Sequence, residues 1–75
     1  MNSKDVIREA LKMRGWTQTR LNEEMHYKSI STVGGYLNRG DTILVSTLFQ
    51  LLDKMGFEII VRDKMGSKTE WKIEE

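Results

Sequence analysis

The chain has 75 residues, enough for one small domain. The hydrophobic core of such a domain is only marginally stable unless a cross-link stabilises it or a second copy covers it. It contains no cysteine and one histidine, which excludes disulfides, cysteine nucleophiles and the usual zinc sites. Hydrophobic residues make up 39% of the chain and charged residues 31%, a balance typical of a soluble globular domain. We expect neither an enzyme nor a bound cofactor or metal.

The apolar runs are a few residues long, far short of the roughly 20 residues that a membrane-spanning helix needs. Residues 1–5 lack the apolar core of a signal peptide, so we expect a cytoplasmic protein. The formal net charge of +1 hides an asymmetry, because residues 1–40 carry 7 basic and 4 acidic groups and residues 41–75 carry 5 and 7. A basic half is compatible with a polyanionic partner, although ordinary mixed surface charge explains the same counts.

The first part of the chain predicts two helices. Apolar residues recur at helical spacing over about residues 4–14, with Ser3 as the expected N-cap and Gly15 as the stop signal. A second, short helix is expected over residues 18–25, with Thr17 as its N-cap.

A third helix is expected over about residues 29–38. Its inward stripe would consist of Val33, Tyr36 and Leu37. Gly34 and Gly35 interrupt this helix at a cost of about 1 kcal/mol each relative to alanine, which we interpret as a close approach of backbone to a partner. A loop over residues 39–42 follows, and Ser46 is the expected N-cap of a strongly amphipathic fourth helix that ends at Gly56. Its buried face would consist of Leu48, Leu51, Leu52 and Met55.

The hydrophobic period then changes to two. Phe57, Ile59 and Val61 alternate with Glu58, Ile60 and Arg62, and residues 69–73 alternate again. This pattern predicts a β-hairpin, whose three-residue loop would end at a left-handed Gly66. That register would pair Ile59 with Trp71 and Phe57 with Ile73. The predicted fold class is mainly α, with four short helices and a C-terminal β-hairpin.

The second and third helices are joined by a tight turn, and polar residues open the later one, as in a helix-turn-helix. The later helix of such a unit enters a DNA major groove about 12 Å wide, so its exposed leading half needs short polar side chains. Ser29, Ser31 and Thr32 meet that need.

Three motifs within residues 4–56 carry a family resemblance. They are Thr17-Gln18-x-x-Leu21, Val33-x-x-Tyr36 and Val45-Ser46-Thr47-Leu48 continuing to Lys54-Met55-Gly56. In this pattern the chain resembles the lambda-repressor-like (Xre/Cro) DNA-binding family. The string Tyr27-Lys28-Ser29-x-Ser31-Thr32-Val33 and the strand-like residues 56–63 are similar to a subset of small phage and prophage regulators.

The resemblance implies a role for each matching position. Gln18 would anchor a DNA phosphate at the start of the second helix. The flanking phosphates would be held by Lys28, Asn38 and Arg39. The groove-facing positions would be Ser29, Ile30, Ser31, Thr32 and Gly35. Ile30 suits a thymine methyl group, whereas Gly35 leaves one base position without a side chain.

The chain departs from the family pattern in the turn region. Asn22 stands where the family usually has a small residue, His26 stands where it has glycine, and the turn is one residue longer. We expect His26 to adopt a left-handed backbone, Tyr27 to pack against the turn and Trp16 to lie in the core. No arginine or glutamine opens the third helix, so selectivity is either modest or rests partly on DNA shape.

The hairpin leaves two alternatives open, because a lone two-stranded hairpin is marginal in water and needs cover. It either folds onto the first and fourth helices of its own chain or packs with a second copy. Trp71 and Ile73 favour the second copy, so we divide the chain into a helix-turn-helix DNA-binding part, residues 1–56, and a hairpin for dimerisation, residues 57–75. Two recognition helices about 34 Å apart would then address successive major grooves.

The leading hypothesis is a homodimeric, sequence-specific regulator that binds double-stranded DNA, a transcriptional repressor of the phage or prophage type. The alternative is a protein-binding module on the same fold, such as an antitoxin or a phage-encoded inhibitor. The near-neutral net charge and the apolar hairpin permit the alternative.

Overall fold

The computed structural model describes residues 1–38 and 43–75, and over these residues the chain forms four helices and then two strands. The elements are α1 (Ser3–Arg14), α2 (Gln18–Glu24), α3 (Thr32–Asn38), α4 (Val45–Lys54), β1 (Ile59–Arg62) and β2 (Glu70–Ile73). This confirms the predicted mainly α architecture with a C-terminal antiparallel hairpin. The predicted loop over residues 39–42, which includes Arg39, lies outside the described residues. None of the described helices combines the length and the apolar character needed to cross a bilayer.

One hydrophobic cluster joins the four helices. Its buried members are Ile7, Ala10, Leu11, Leu21, Val33, Leu37, Leu51, Leu52 and Met55. The predicted inward faces of α3 and α4 are confirmed, since Tyr36 and Leu48 are half-buried against the same cluster. Trp16 also packs there from the segment between α1 and α2, but it stays half-buried rather than entering the core.

The helix ends follow capping chemistry, although not always at the predicted residue. The expected cap at Ser3 is wrong, because the backbone of Asn2 is extended and its side chain accepts from the amide of Asp5 at 2.9 Å. Asp5 completes a capping box by accepting from the amide of Asn2 at 3.3 Å. Gly15 ends α1 in the left-handed conformation with φ 68°, and Thr17 caps α2 by accepting from the Arg20 amide at 3.0 Å, both as predicted.

The expected cap at Ser46 is also wrong. The Leu48 amide already donates to the Leu44 carbonyl at 2.9 Å, so α4 begins at Val45 with Leu44 in the cap position and without a side-chain cap. The first turn of α4 thus carries the exposed Leu44 and Val45, whereas its buried residues, Leu51 and Leu52, lie farther along the helix.

The hairpin register differs from the prediction by two residues. Ile59 lies opposite Ile73 and Val61 opposite Trp71, and residues 63–69 form a longer loop than expected. Two local turns lengthen the loop: Asp63 Oδ1 accepts from the Met65 amide at 2.8 Å, and Ser67 Oγ accepts from the Thr69 amide at 3.0 Å. Because the shift is an even number of residues, each side chain keeps its predicted face.

The hairpin packs on the helices only at its base. Phe57 and Ile59 lie against the hydrophobic cluster, but Val61 is 43% and Trp71 63% exposed. The described molecule is correspondingly elongated, 42 Å along its longest axis and 25 Å along the next. Contact with the helices of its own chain therefore covers only part of the apolar face of the hairpin.

Candidate nucleic-acid interface

The turn between α2 and α3 reverses the chain at a left-handed residue. His26 has φ 59°, as predicted for this position, and its amide donates to the Glu23 carbonyl at 3.1 Å. The Tyr27 amide then donates to the Asn22 carbonyl at 3.1 Å, which closes the end of α2. Histidine tolerates the left-handed conformation better than most side chains, so the turn forms without a glycine at this position.

Asn22 joins α2 to the start of α3. Its side chain is buried, with 3% exposure, and its Oδ1 atom accepts from the amide of Val33 at 3.0 Å. Its Nδ2 atom donates to the carbonyl of Ile30. One carboxamide thus satisfies two backbone groups on either side of the α3 N-terminus, which fixes the turn relative to α2.

The third helix begins later than predicted. It starts at Thr32 rather than near Ser29, because the Ser29 carbonyl accepts from the amide and the hydroxyl of Thr32 in a separate turn. Ser29, Ile30 and Ser31 therefore precede the helix instead of forming its first turn, and only Thr32 and Gly35 of the predicted groove-facing positions lie in α3.

These turn residues form an outward surface. Ser29 and Ser31 are exposed, and their hydroxyls lie 2.9 Å apart. Ile30 is 85% exposed, an unusual position for a large apolar side chain, and Thr32 is half-buried. We call Ser29, Ile30, Ser31 and Thr32 the hydroxyl turn.

Gln18 lies beside Gly34 of α3. A β-carbon at position 34 would lie 3.2 Å from the Oε1 atom of Gln18, so Gly34 leaves room for the glutamine side chain. The close approach expected at the two glycines is thus made at Gly34 by a residue of the same chain. Gly35 is half-buried, and its amide donates to the Ser31 carbonyl at 2.8 Å.

Two basic residues of α2 and the following turn differ in whether they form an ion pair. Lys28 is exposed and forms no ion pair with any residue that the structure describes. Arg20 is engaged locally, since its guanidinium lies 3.4 Å from Glu24 and stacks 4.4 Å from the ring centre of Trp16. Asn38 is exposed at the end of α3.

Two tyrosines brace the turn from the inside. The rings of Tyr27 and Tyr36 meet edge to face with centres 6.3 Å apart, and both are half-buried against the core, as predicted for Tyr27. Partial burial is the main cause that raises the pKa of the Tyr27 phenol above its ordinary value, and the neighbouring Tyr36 raises it further. Tyr27 therefore stays neutral at physiological pH and acts in packing.

The structure thus places Lys28 directly before the hydroxyl turn that precedes α3 and Gln18 beside Gly34 within α3, with Gly35 and Asn38 farther along that helix. Sequence reasoning missed Asn22, which holds this arrangement in place. The available signal was a carboxamide directly after the buried Leu21, where the family has a small residue.

Comparisons of the chain with protein-family models, with curated proteins and with solved structures give no significant match.

Proposed function

We propose that this chain is a sequence-specific regulator that binds double-stranded DNA through α2, the hydroxyl turn and α3, and that it acts as a homodimer. The family resemblance of its motifs makes a repressor of the phage or prophage type the form of regulator that we propose. The proposal rests on one observation above all, the outward hydroxyl turn held in place by the buried Asn22.

Short hydroxyl side chains suit base edges because each hydroxyl both donates and accepts a hydrogen bond. Ser29 and Ser31 are exposed and are bonded mainly to each other, so a base edge can compete for them. The exposed Ile30 fits a thymine methyl group, a contact that removes apolar surface from water and distinguishes thymine in the major groove. A fixed turn also lowers the conformational entropy lost on binding.

Phosphate contacts supply the remaining part of the proposal. Lys28 is exposed directly before the hydroxyl turn, and the Gln18 carboxamide lies beside Gly34 of α3. Asn38 lies at the end of α3. The resemblance assigns it, together with Arg39 in the sequence, to the flanking phosphates. Such contacts set affinity and position, while the hydroxyl turn selects the sequence.

The first test replaces Lys28 with alanine and measures binding to a duplex selected from a random library, over a range of salt concentrations. Loss of one phosphate contact should weaken binding to selected and unrelated duplexes alike, and should lower the salt slope by about one. Lys64→Ala, in the hairpin loop, is the matched control and should leave the slope unchanged. An unchanged slope for Lys28→Ala contradicts the proposed placement of DNA.

A second candidate function, the binding of another protein, is supported by exposed apolar side chains. Ile30, Val61 and Trp71 expose large apolar surfaces that suit a protein partner, as in an antitoxin or a phage-encoded inhibitor. The random-library experiment separates the two functions, because a protein-binding module enriches no duplex and shows no saturable binding to the DNA upstream of its own gene.

A further inference from the structure

The outer edge of β1 is unpaired in the described part of the chain. The sheet there has two strands, so each strand has one edge whose backbone groups lack a strand partner. The middle of β1 is open, since Ile60 is 42% and Val61 43% exposed. An open, partly apolar edge readily pairs with another strand, and a two-stranded hairpin is only marginally stable by itself.

The charges along this edge are self-complementary. Residues 58–62 read Glu-Ile-Ile-Val-Arg, with opposite charges two residues on either side of Ile60. If two copies align antiparallel with Ile60 opposite the partner's Ile60, Glu58 lies opposite the partner's Arg62 and Ile59 opposite the partner's Val61. Opposite charges and apolar pairs directly across antiparallel strands stabilise the pairing.

We propose that two copies of this chain dimerise by antiparallel pairing of their β1 strands about a twofold axis at Ile60, which forms a four-stranded sheet. The proposal gives an edge and a register to the homodimer of the proposed function, and to that extent rests on it. The contact is isologous, because each copy presents the same edge to the other.

The outer edge of β2 is the competing edge for such a pairing. Antiparallel pairing about Lys72 would place that ammonium group opposite its own copy and Glu70 opposite the partner's Glu74. Like charges directly opposite each other destabilise this register, whereas pairing about Trp71 would set Glu70 opposite the partner's Lys72. The charge exchange described below distinguishes the two edges, because it leaves the charges of β2 unchanged.

The β1 pairing also extends the apolar face of the hairpin. Within one chain Trp71 lies opposite Val61, and Ile59 opposite Ile73. In the dimer Val61 would lie opposite the partner's Ile59, so a row of four apolar side chains would cross the sheet from Trp71 to the partner's Ile73. The partner's Ile59 packs on its own helices, and this contact brings the exposed Val61 next to that covered region.

On the opposite face the new charge pairs join existing ones. Lys72 Nζ lies 3.5 Å from Glu58 and 3.5 Å from Glu74 of the same chain. The partner's Arg62 would approach Glu58 from the other side, so the carboxylate would lie between two cations. A charge network of this kind contributes more than an isolated surface pair.

The test is a charge exchange measured in the absence of DNA, by analytical ultracentrifugation of the full chain. Glu58→Lys alone places two positive charges opposite each other at each end of the interface, and Arg62→Glu alone places two negative charges there. Each variant alone should self-associate about tenfold more weakly than the wild type. An equimolar mixture of the two variants should recover the dimer, because every introduced charge then faces an opposite charge.

Recovery in the mixture separates interface repulsion from a damaged hairpin, since a hairpin that fails to fold gains nothing from mixing. Lys64→Glu in the hairpin loop is the control and should dimerise like the wild type. A monomeric wild type, single variants that remain fully dimeric, or a mixture that stays monomeric would each overturn the proposal. A dimer that binds no DNA would refute the proposed function and leave this interface standing.

Discussion

At the scale of single residues, Asn22 shows how one buried polar side chain positions an exposed surface. Burying a carboxamide is unfavourable unless its donor and acceptor are both satisfied. Here the two partners are the Val33 amide and the Ile30 carbonyl, on either side of the start of α3. The desolvation cost of Asn22 is offset only when the turn holds this conformation, so the residue specifies the hydroxyl turn as well as stabilising it.

Asn22→Ala should therefore lower the free energy of unfolding by about 2 kcal/mol, because it leaves two backbone groups without partners. Urea denaturation followed by tryptophan fluorescence measures the change. Glu23→Ala, one residue along the same helix and exposed, should change stability by less than about 0.5 kcal/mol. Equal stabilities for the two variants would contradict the role given to Asn22.

A substitution at Gly34 should change folding stability and DNA binding in opposite directions. Alanine at this position should add up to about 1 kcal/mol of helix stability, because glycine is a poor helix former. The new β-carbon would lie 3.2 Å from the Gln18 Oε1 atom, and the exposed end of that flexible side chain would move away. We expect Gly34→Ala to raise the urea midpoint and to weaken DNA binding.

The binding part of this prediction depends on the proposed phosphate contact of Gln18. Gln18→Ala should weaken DNA binding similarly. Because both substitutions remove the same phosphate contact, the double variant should bind DNA as tightly as whichever single variant has the lower affinity. Anisotropy titrations on the selected duplex measure all three variants. Additive losses would show that Gly34 acts on binding by a route other than Gln18.

At the scale of elements, the sequence predicts the interior better than the boundaries. The four helices and their buried faces follow from periodicity, because Leu21, Val33 and Leu51 must leave water wherever the helix ends lie. The start of α3 could not be read in this way, since serine and threonine favour both helix caps and separate turns. The hydrogen bonds between Ser29 and Thr32 select the turn.

The hairpin illustrates the same limit. Alternation predicted which side chains share a face, but not the register, because a shift by two residues preserves that pattern. The loop turns at Asp63 and Ser67 set the register, and these are local hydrogen bonds that compete with continued strand pairing. The residues of the candidate interface are a proposal made from the sequence, whereas their support by Asn22 follows only from the three-dimensional contact between α2 and α3.

The α1 terminus gives an element-scale prediction with a matched pair of variants. Asn2→Ala removes the side-chain acceptor for the Asp5 amide and should cost about 1 kcal/mol of unfolding free energy. Ser3→Ala should change stability by less than about 0.5 kcal/mol, because Ser3 is already the first residue of the helix. Thermal denaturation followed by circular dichroism compares them, and a larger loss for Ser3→Ala would contradict the capping box.

At the scale of the whole molecule, Arg14 connects the first helix to the last element. Its Nε atom donates to the Met55 carbonyl at 2.8 Å, and its guanidinium lies 4.1 Å from the ring centre of Phe57. The same side chain thus binds the backbone at the C-terminal end of α4 and covers Phe57 in the segment between α4 and β1. This contact fixes the base of the hairpin against the helices, and through it the direction in which the β1 edge projects.

Arg14→Ala should lower the free energy of unfolding by about 1–2 kcal/mol, since it removes a charge-assisted hydrogen bond and a cation–π contact. Lys12→Ala is the control, because the ion pair of Lys12 with Glu9, at 3.9 Å, is exposed and contributes little. Amide hydrogen exchange adds a spatial readout: in Arg14→Ala, protection over β1 should fall more than protection over α2. Equal losses in the two elements would show that Arg14 stabilises the molecule as a whole without anchoring the hairpin.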